Sequence, residues 1–268
     1  MSITSKLAAG LLAAACVGMV SAEEEVILKI EKPENFIQFK SISASDDGFV
    51  IKGRFIQLLS KTDITVDPAK KYRVSGEFCL KGGKKPWLYL GFAPYDEKGR
   101  PILPSQVNGN NNTLTTVAAD AKKGDKVIKV KDASKWNVKS PHSFVAVGAA
   151  EDYSDMPNRN LLRSVKPNAE QKGDIWELAL KEPLKADIPA GTAVRQQFAG
   201  ASFIYTAGGF KPDDSWKSHA GVTSGFAVGT DASKFWKGTV KVKLLVMSLD
   251  GDKDSVTRMR NIKVTEVK

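Results

Sequence analysis

Residues 71–95 read KYRVSGEFCLKGGKKPWLYLGFAPY. In the first ten, Tyr72, Val74, Phe78 and Leu80 share one phase, and Lys71, Arg73, Ser75 and Glu77 share the other. That period of two is the mark of a strand with one dry and one wet face. Gly82-Gly83 breaks the run. A second strand follows, with Leu88, Leu90 and Phe92 in one phase. Its other phase carries Trp87, Tyr89 and Tyr95, so large rings stand on both sides. An ordinary half-buried strand would be polar there.

The same alternation recurs outward along the chain. In TVKVKLLVMS, 239–248, Val240, Val242, Leu244 and Val246 alternate with Thr239, Lys241 and Lys243. Further strands are expected at 26–31, 35–39, 48–58, 202–206, 222–228 and 260–267. They are separated by turn chemistry such as Asp46-Asp47-Gly48, Asp67-Pro68 and Asp250-Gly251. Many short strands with hardly any helical period predict an all-β fold, an antiparallel β-sandwich.

The middle of the chain differs. After Asn108-Gly109-Asn110-Asn111-Asn112, two stretches each place a Gly-Asp turn before a strand, 127–131 and 175–180. Residues 148–172, rich in Asn, Asp, Pro and Lys, read as loop. The expected division is a discontinuous sandwich, 23–113 plus 196–268, with a small inserted β-rich subdomain at 114–195. Two domains in linear order are the alternative. Trp136 and Trp176 are expected to form the insertion's own core.

Composition narrows the function classes. MSITSKLAAGLLAAACVGMVSA, residues 1–22, has a Lys near its start, an apolar run and a small-residue end, the layout of a cleaved secretory signal. Its apolar run is shorter than the roughly 20 residues of a membrane span. A secreted, periplasmic or cell-surface location follows, with lipidation of Cys16 as a lesser alternative. Cleavage leaves Cys79 as the one cysteine, so no internal disulfide is expected. The formal charge is +10 in the full chain, and +9 once Lys6 is lost (39 Lys and Arg against 30 Asp and Glu). A basic, exported protein suits an acidic partner such as an anionic polysaccharide, with affinity that falls as salt rises. Export and the lack of a recognition motif argue against nucleic acid.

Several segments, taken in order, resemble the galactose-binding-like jelly roll of carbohydrate-binding modules of families four, nine and twenty-two. They are ITVDPAKKYRVSGEF (64–78), LYLGFAPYDEKGRPI (88–102), SWKSHAGV (215–222) and MRNIKVTEV (259–267). The insertion's GDKVIKVKDASKW and PAGTAV resemble an extra β-rich element of larger members. The resemblance implies a non-catalytic module that binds a polysaccharide or glycoconjugate. It also implies a structural calcium held by paired acids in the closing strand. Arg260-Asn261 stands there instead, so no cofactor is expected. Asp250-Gly251-Asp252-Lys253-Asp254 fails as a calcium loop, with Ser255 in place of the glycine and Asn261 in place of the bidentate glutamate. It reads as a solvated hairpin turn.

The candidate ligand surface is Trp87, Tyr89 and Tyr205 as ring platforms, with Arg73, Glu77, Lys241 and Lys243 as polar partners, provided the strands are neighbours. Pyranose C–H faces pack on aromatic planes, and charged side chains engage hydroxyls and acidic substituents. The competing reading of the rings is a second small core under another segment. Trp216 and Trp236 read as structural. No catalytic residues are assigned. The chain lacks G-x-S-x-G, H-E-x-x-H and P-loop motifs, and Gly221-Val222-Thr223-Ser224-Gly225 has its serine one place late. A structural or adhesive envelope protein that binds another protein is the second function class. The third is a polysaccharide lyase, which could work with Tyr, His, Arg and Lys, or a glycoside hydrolase, which needs two placed carboxylates.

Overall fold

A computed structural model describes residues 24–268. The expected signal segment and Cys16 lie outside the described residues. Two sheets face each other across one large core. The six-stranded sheet runs Lys217–Ser224, Lys71–Gly82, Val256–Val267, Gly48–Lys52, Ile42–Ser45, with Glu24–Lys29 also paired to Val256–Val267. The five-stranded sheet runs Gly209–Phe210, Trp87–Tyr95, Lys241–Leu249, Ile56–Leu59, with Ile64–Thr65 beside Lys241–Leu249. Apart from the short parallel pair Phe226–Ala227 and Phe235–Trp236, the strand pairings among the described residues are antiparallel. The fold is an all-β antiparallel sandwich.

The alternating phases read in the sequence make its core. Tyr72, Val74 and Phe78 from one sheet meet Leu88, Leu90, Phe92, Val242, Leu244 and Val246 from the other. Val240 is the exception, exposed just outside its strand. Phe235 bridges the layers, its ring 5.5 Å from Tyr72 and 5.8 Å from Phe92. Trp236 is fully buried, in keeping with a structural role.

At two turns the chain changes sheets. The turn after Lys71–Gly82 carries the chain from the six-stranded to the five-stranded sheet. Gly83 permits it: its φ is +72°, and a Cβ there would lie 2.4 Å from the Asp254 carbonyl. The expected strand 48–58 likewise divides at Gly53 into Gly48–Lys52 and Ile56–Leu59, one in each sheet. Residues 35–39 do not form a strand. Pro33 and Asn35, whose Oδ1 accepts the N–H groups of Glu31 and Lys32, set up a 3₁₀ turn instead. Phe36 still enters the core and makes a single bridge to Ser60.

The middle segment builds a second core from Val117, Ile128, Val130, Trp136, Val145, Leu178 and Val194, with Trp176 packed against it. Its strands form a four-stranded and a three-stranded sheet. Within the expected loop 148–172 lie two short strands, Leu161–Arg163 and Glu170–Lys172. The strand Ala193–Phe198 runs across position 195, carrying the chain back toward the sandwich. Two ion-paired clusters lie near the junction, and the second crosses it. Arg195 and Asp155, both buried, meet at 2.8 Å beside Met156, which belongs to the sandwich core. Asp96, at the end of Trp87–Tyr95, accepts hydrogen bonds from Arg100 and from Arg159 of the middle segment, both at 2.9 Å.

Burial alone would raise the Asp96 pKa, but the backbone N–H and guanidinium of Arg100, with Arg159, outweigh it and hold the value at about 2, below the ordinary 3.8. The ionised form therefore favours the folded state. Its contribution is complete above the unfolded value of 3.8 and disappears as pH falls toward 2. Acid titration followed by circular dichroism is expected to show a shallower loss of stability over this window in Asp96→Asn than in the native chain. Phe92→Ala, which empties the centre of the core, is expected to cost about 3–5 kcal/mol in urea unfolding.

Candidate functional site

The strand that carries rings on both sides is packed on both sides. Its outward residues face those of Lys241–Leu249 in register: Trp87 opposite Leu249, Tyr89 opposite Met247, Gly91 opposite Leu245, Tyr95 opposite Lys241. Leu245 and Met247 are buried although they point away from the main core. With Leu59 and Ala93 they form a small outer cluster, against which Tyr89, Tyr95, Phe203, Tyr205 and Leu249 pack.

Part of that cover comes from residues 203–205. Ile204 exchanges backbone hydrogen bonds with Phe92 at 2.8 and 2.9 Å, forming a bridge rather than the expected full strand at 202–206. Ile204 goes into the main core while Phe203 and Tyr205 stay outside. Gly91 makes this approach possible, since a Cβ there would lie 2.0 Å from the Ile204 carbonyl oxygen. Tyr89 and Tyr205 then touch, with ring centroids 4.6 Å apart and planes tilted by 43°. Burial, with Tyr89 nearby, pushes the Tyr205 hydroxyl above its usual pKa, so it remains a neutral donor at physiological pH. Trp87, 40% exposed, lies at one end of the stripe with the Lys211 ammonium 5.0 Å from its ring centroid.

The expected surface thus divides. Trp87, Tyr89 and Tyr205 come together on the outer face of the five-stranded sheet. Lys241 and Lys243 belong to that face but lie toward its other end, since eight residues of strand cover about 27 Å. Lys243 is committed: it pairs with Asp63, donates to the Lys61 carbonyl and sits 6.0 Å from the Tyr95 centroid. Arg73 and Glu77 are not part of this surface. Their strand belongs to the six-stranded sheet, so their side chains leave the opposite side of the sandwich. Arg73 pairs there with Glu24 at 3.0 Å. Glu77 accepts from Asn261 and Arg260, each at 2.8 Å, and these bonds hold it below the usual carboxylate range against the effect of burial.

Sequence reasoning missed Phe203 and Lys211. Phe203 had a readable signal, its alternation with Ile204 and Tyr205. Lys211 had none, because its neighbour Trp87 is remote in sequence. Elsewhere, Cys79 is buried with its thiol donating to the Asp214 carbonyl. His219 stacks on Phe210 with ring centroids 3.4 Å apart, and burial lowers its pKa. Trp216 lies under Arg260, 4.2 Å from its centroid. Asp252 caps its own turn, accepting from Lys84, Asp254 and Ser255. Among the described residues, no cluster of three His, Cys, Asp or Glu side chains converges, and no helix is long and apolar enough to cross a membrane.

No family model matches the chain, nor does any curated protein or solved structure.

Trp87 is 40% exposed, while Trp136 and Trp236 are buried. Iodide quenching of tryptophan fluorescence is expected to fall clearly in Trp87→Phe. It should fall in part in Lys211→Ala, which removes the cation that draws the iodide anion to the ring. Equal quenching in all three proteins would contradict the exposed placement of Trp87.

Proposed function

We propose that this is an exported, non-catalytic carbohydrate-binding protein that reads a glycan through the ring stripe on its five-stranded sheet. The observation that carries the reading is Trp87, open to solvent at the end of a half-buried ring pair, Tyr89 and Tyr205. Flat rings fixed on a sheet offer C–H stacking to successive sugars at little ordering cost. Lys211 places a hydrogen-bond donor beside the indole for a hydroxyl or an acidic substituent. The antiparallel sandwich is compatible with the galactose-binding-like resemblance in the sequence.

A second reading, a structural or adhesive envelope protein, draws support from other exposed apolar residues. Phe55 is 60% exposed, Leu103 51% and Ile37 45%. Such residues favour a protein partner when they form one patch.

A glycan array probed with the native chain and Trp87→Ala separates the two. Glycan binding that weakens by about tenfold or more in the variant, with an unchanged melting temperature, is the expected result. Full binding by Trp87→Ala would remove the ring stripe from the account. Absence of glycan binding together with specific capture of one envelope protein would favour the adhesive reading.

A further inference from the structure

The outer face of the six-stranded sheet holds a groove of 530 Å³. Three strands supply its floor in register. Arg73 lies opposite Val222 and Thr265, Ser75 opposite Ala220 and Lys263, and Glu77 opposite Ser218 and Arg260. Lys29 continues the middle row beside Lys263. That row has a low floor of Ser75 and Ala220 with two ammonium groups at one end. The outer rows are electrically closed, because Glu24 is held by Arg73 and Glu77 by Arg260 and Asn261. Among the described residues, no carboxylate pairs with Lys263, and Lys29 has only a 3.4 Å contact to a largely exposed Glu31.

A local irregularity shapes the groove. The pairing of Val256–Val267 with Lys71–Gly82 shifts between Arg260 and Lys263, and Asn261 takes a φ of +54°. This bulge turns the Asn261 amide toward Glu77 and brings Lys263 opposite Ser75. The result is a positive charge, unpaired among the described residues, over the small side chains of Ser75 and Ala220, flanked by carboxylates with lone pairs left for hydroxyl donors. The size lies within the range that encloses small-molecule ligands.

We propose that this groove is a second ligand site, taking a sugar unit that carries its charge as a carboxylate or sulfate. Lys263 and Lys29 receive the anionic group over Ser75, while Glu77, Ser218 and Asn261 receive the hydroxyls. The site goes beyond the ring stripe and lies on the other side of the sandwich. That its ligand is a sugar rests on the glycan reading; the anion selectivity rests on the groove alone.

Isothermal titration calorimetry of the full chain with trigalacturonate, a sulfated chondroitin tetrasaccharide, inorganic sulfate and neutral cellotetraose tests it. Trigalacturonate or the sulfated sugar is expected to bind, and to weaken by about tenfold or more in Lys263→Gln. Lys29→Gln, at a largely exposed side chain, is expected to weaken it as well without affecting folding. Trp87→Ala, on the other face of the sandwich, is expected to leave the lysine-dependent part of acidic-sugar binding in place. Unchanged affinity in both lysine variants, binding of inorganic sulfate alone, or no binding of either acidic sugar would overturn the proposal. If cellotetraose binds through Trp87 while neither acidic sugar binds, this site falls and the ring stripe stands. The opposite pattern leaves this site standing and removes the stripe.

Discussion

The strand Trp87–Tyr95 is packed on both faces, and the remaining surfaces are arranged around it. On one side Leu88, Leu90 and Phe92 complete the main core. On the other, Ala93 joins Leu245, Met247 and Leu59 in a small outer cluster. A sheet face that must shield buried leucine and methionine cannot also be a bare aromatic platform. Tyr89, Tyr95 and Tyr205 are therefore turned partly inward as cover, and Trp87, at the strand end, keeps the largest share of its ring in water. The size of the rings is explained by covering area: each buries far more apolar surface than a Val or Thr would at the same position.

That double duty explains what was legible. Alternation located the strands 71–82, 87–95 and 241–249 closely, because period two follows directly from one buried face. It also showed which residues enter the main core. It left open whether the second phase of 87–95 was covered, because Leu245 and Met247, the residues needing cover, lie about 150 positions away and form their own contacts only after folding. Gly91 carried a hint. A glycine inside a strand often marks a close approach of another backbone, and here that backbone is Ile204.

Sheet assignment was not legible, and it controls the site. Strands 71–82 and 87–95 are separated by four residues, a spacing that suits a hairpin as well as a crossing between layers. The crossing wins because both strands have stronger partners elsewhere: Val256–Val267 for the first and Lys241–Leu249 for the second, each paired along nearly its full length. Their inward phases then face each other across the sandwich, and their outward phases point in opposite directions. One topological choice thus moves Arg73 and Glu77 away from Trp87 and Tyr89 without changing which residues are buried.

The separation decides which charges a ligand on either face can feel. The two sheets are packed about 10 Å apart, and outward side chains add several ångströms on each side. The Debye length at physiological salt is about 8 Å. A glycan on the ring stripe is therefore screened from Arg73, Lys263 and Lys29. Its electrostatics are set by Lys211 and, farther along, Lys241, because Lys243 is neutralised by Asp63. The net charge of +10 is in this sense not one property of the molecule. If the two proposed sites bind as argued, stacking dominates on one face and ion recognition on the other, and the salt response of binding identifies the face a ligand occupies.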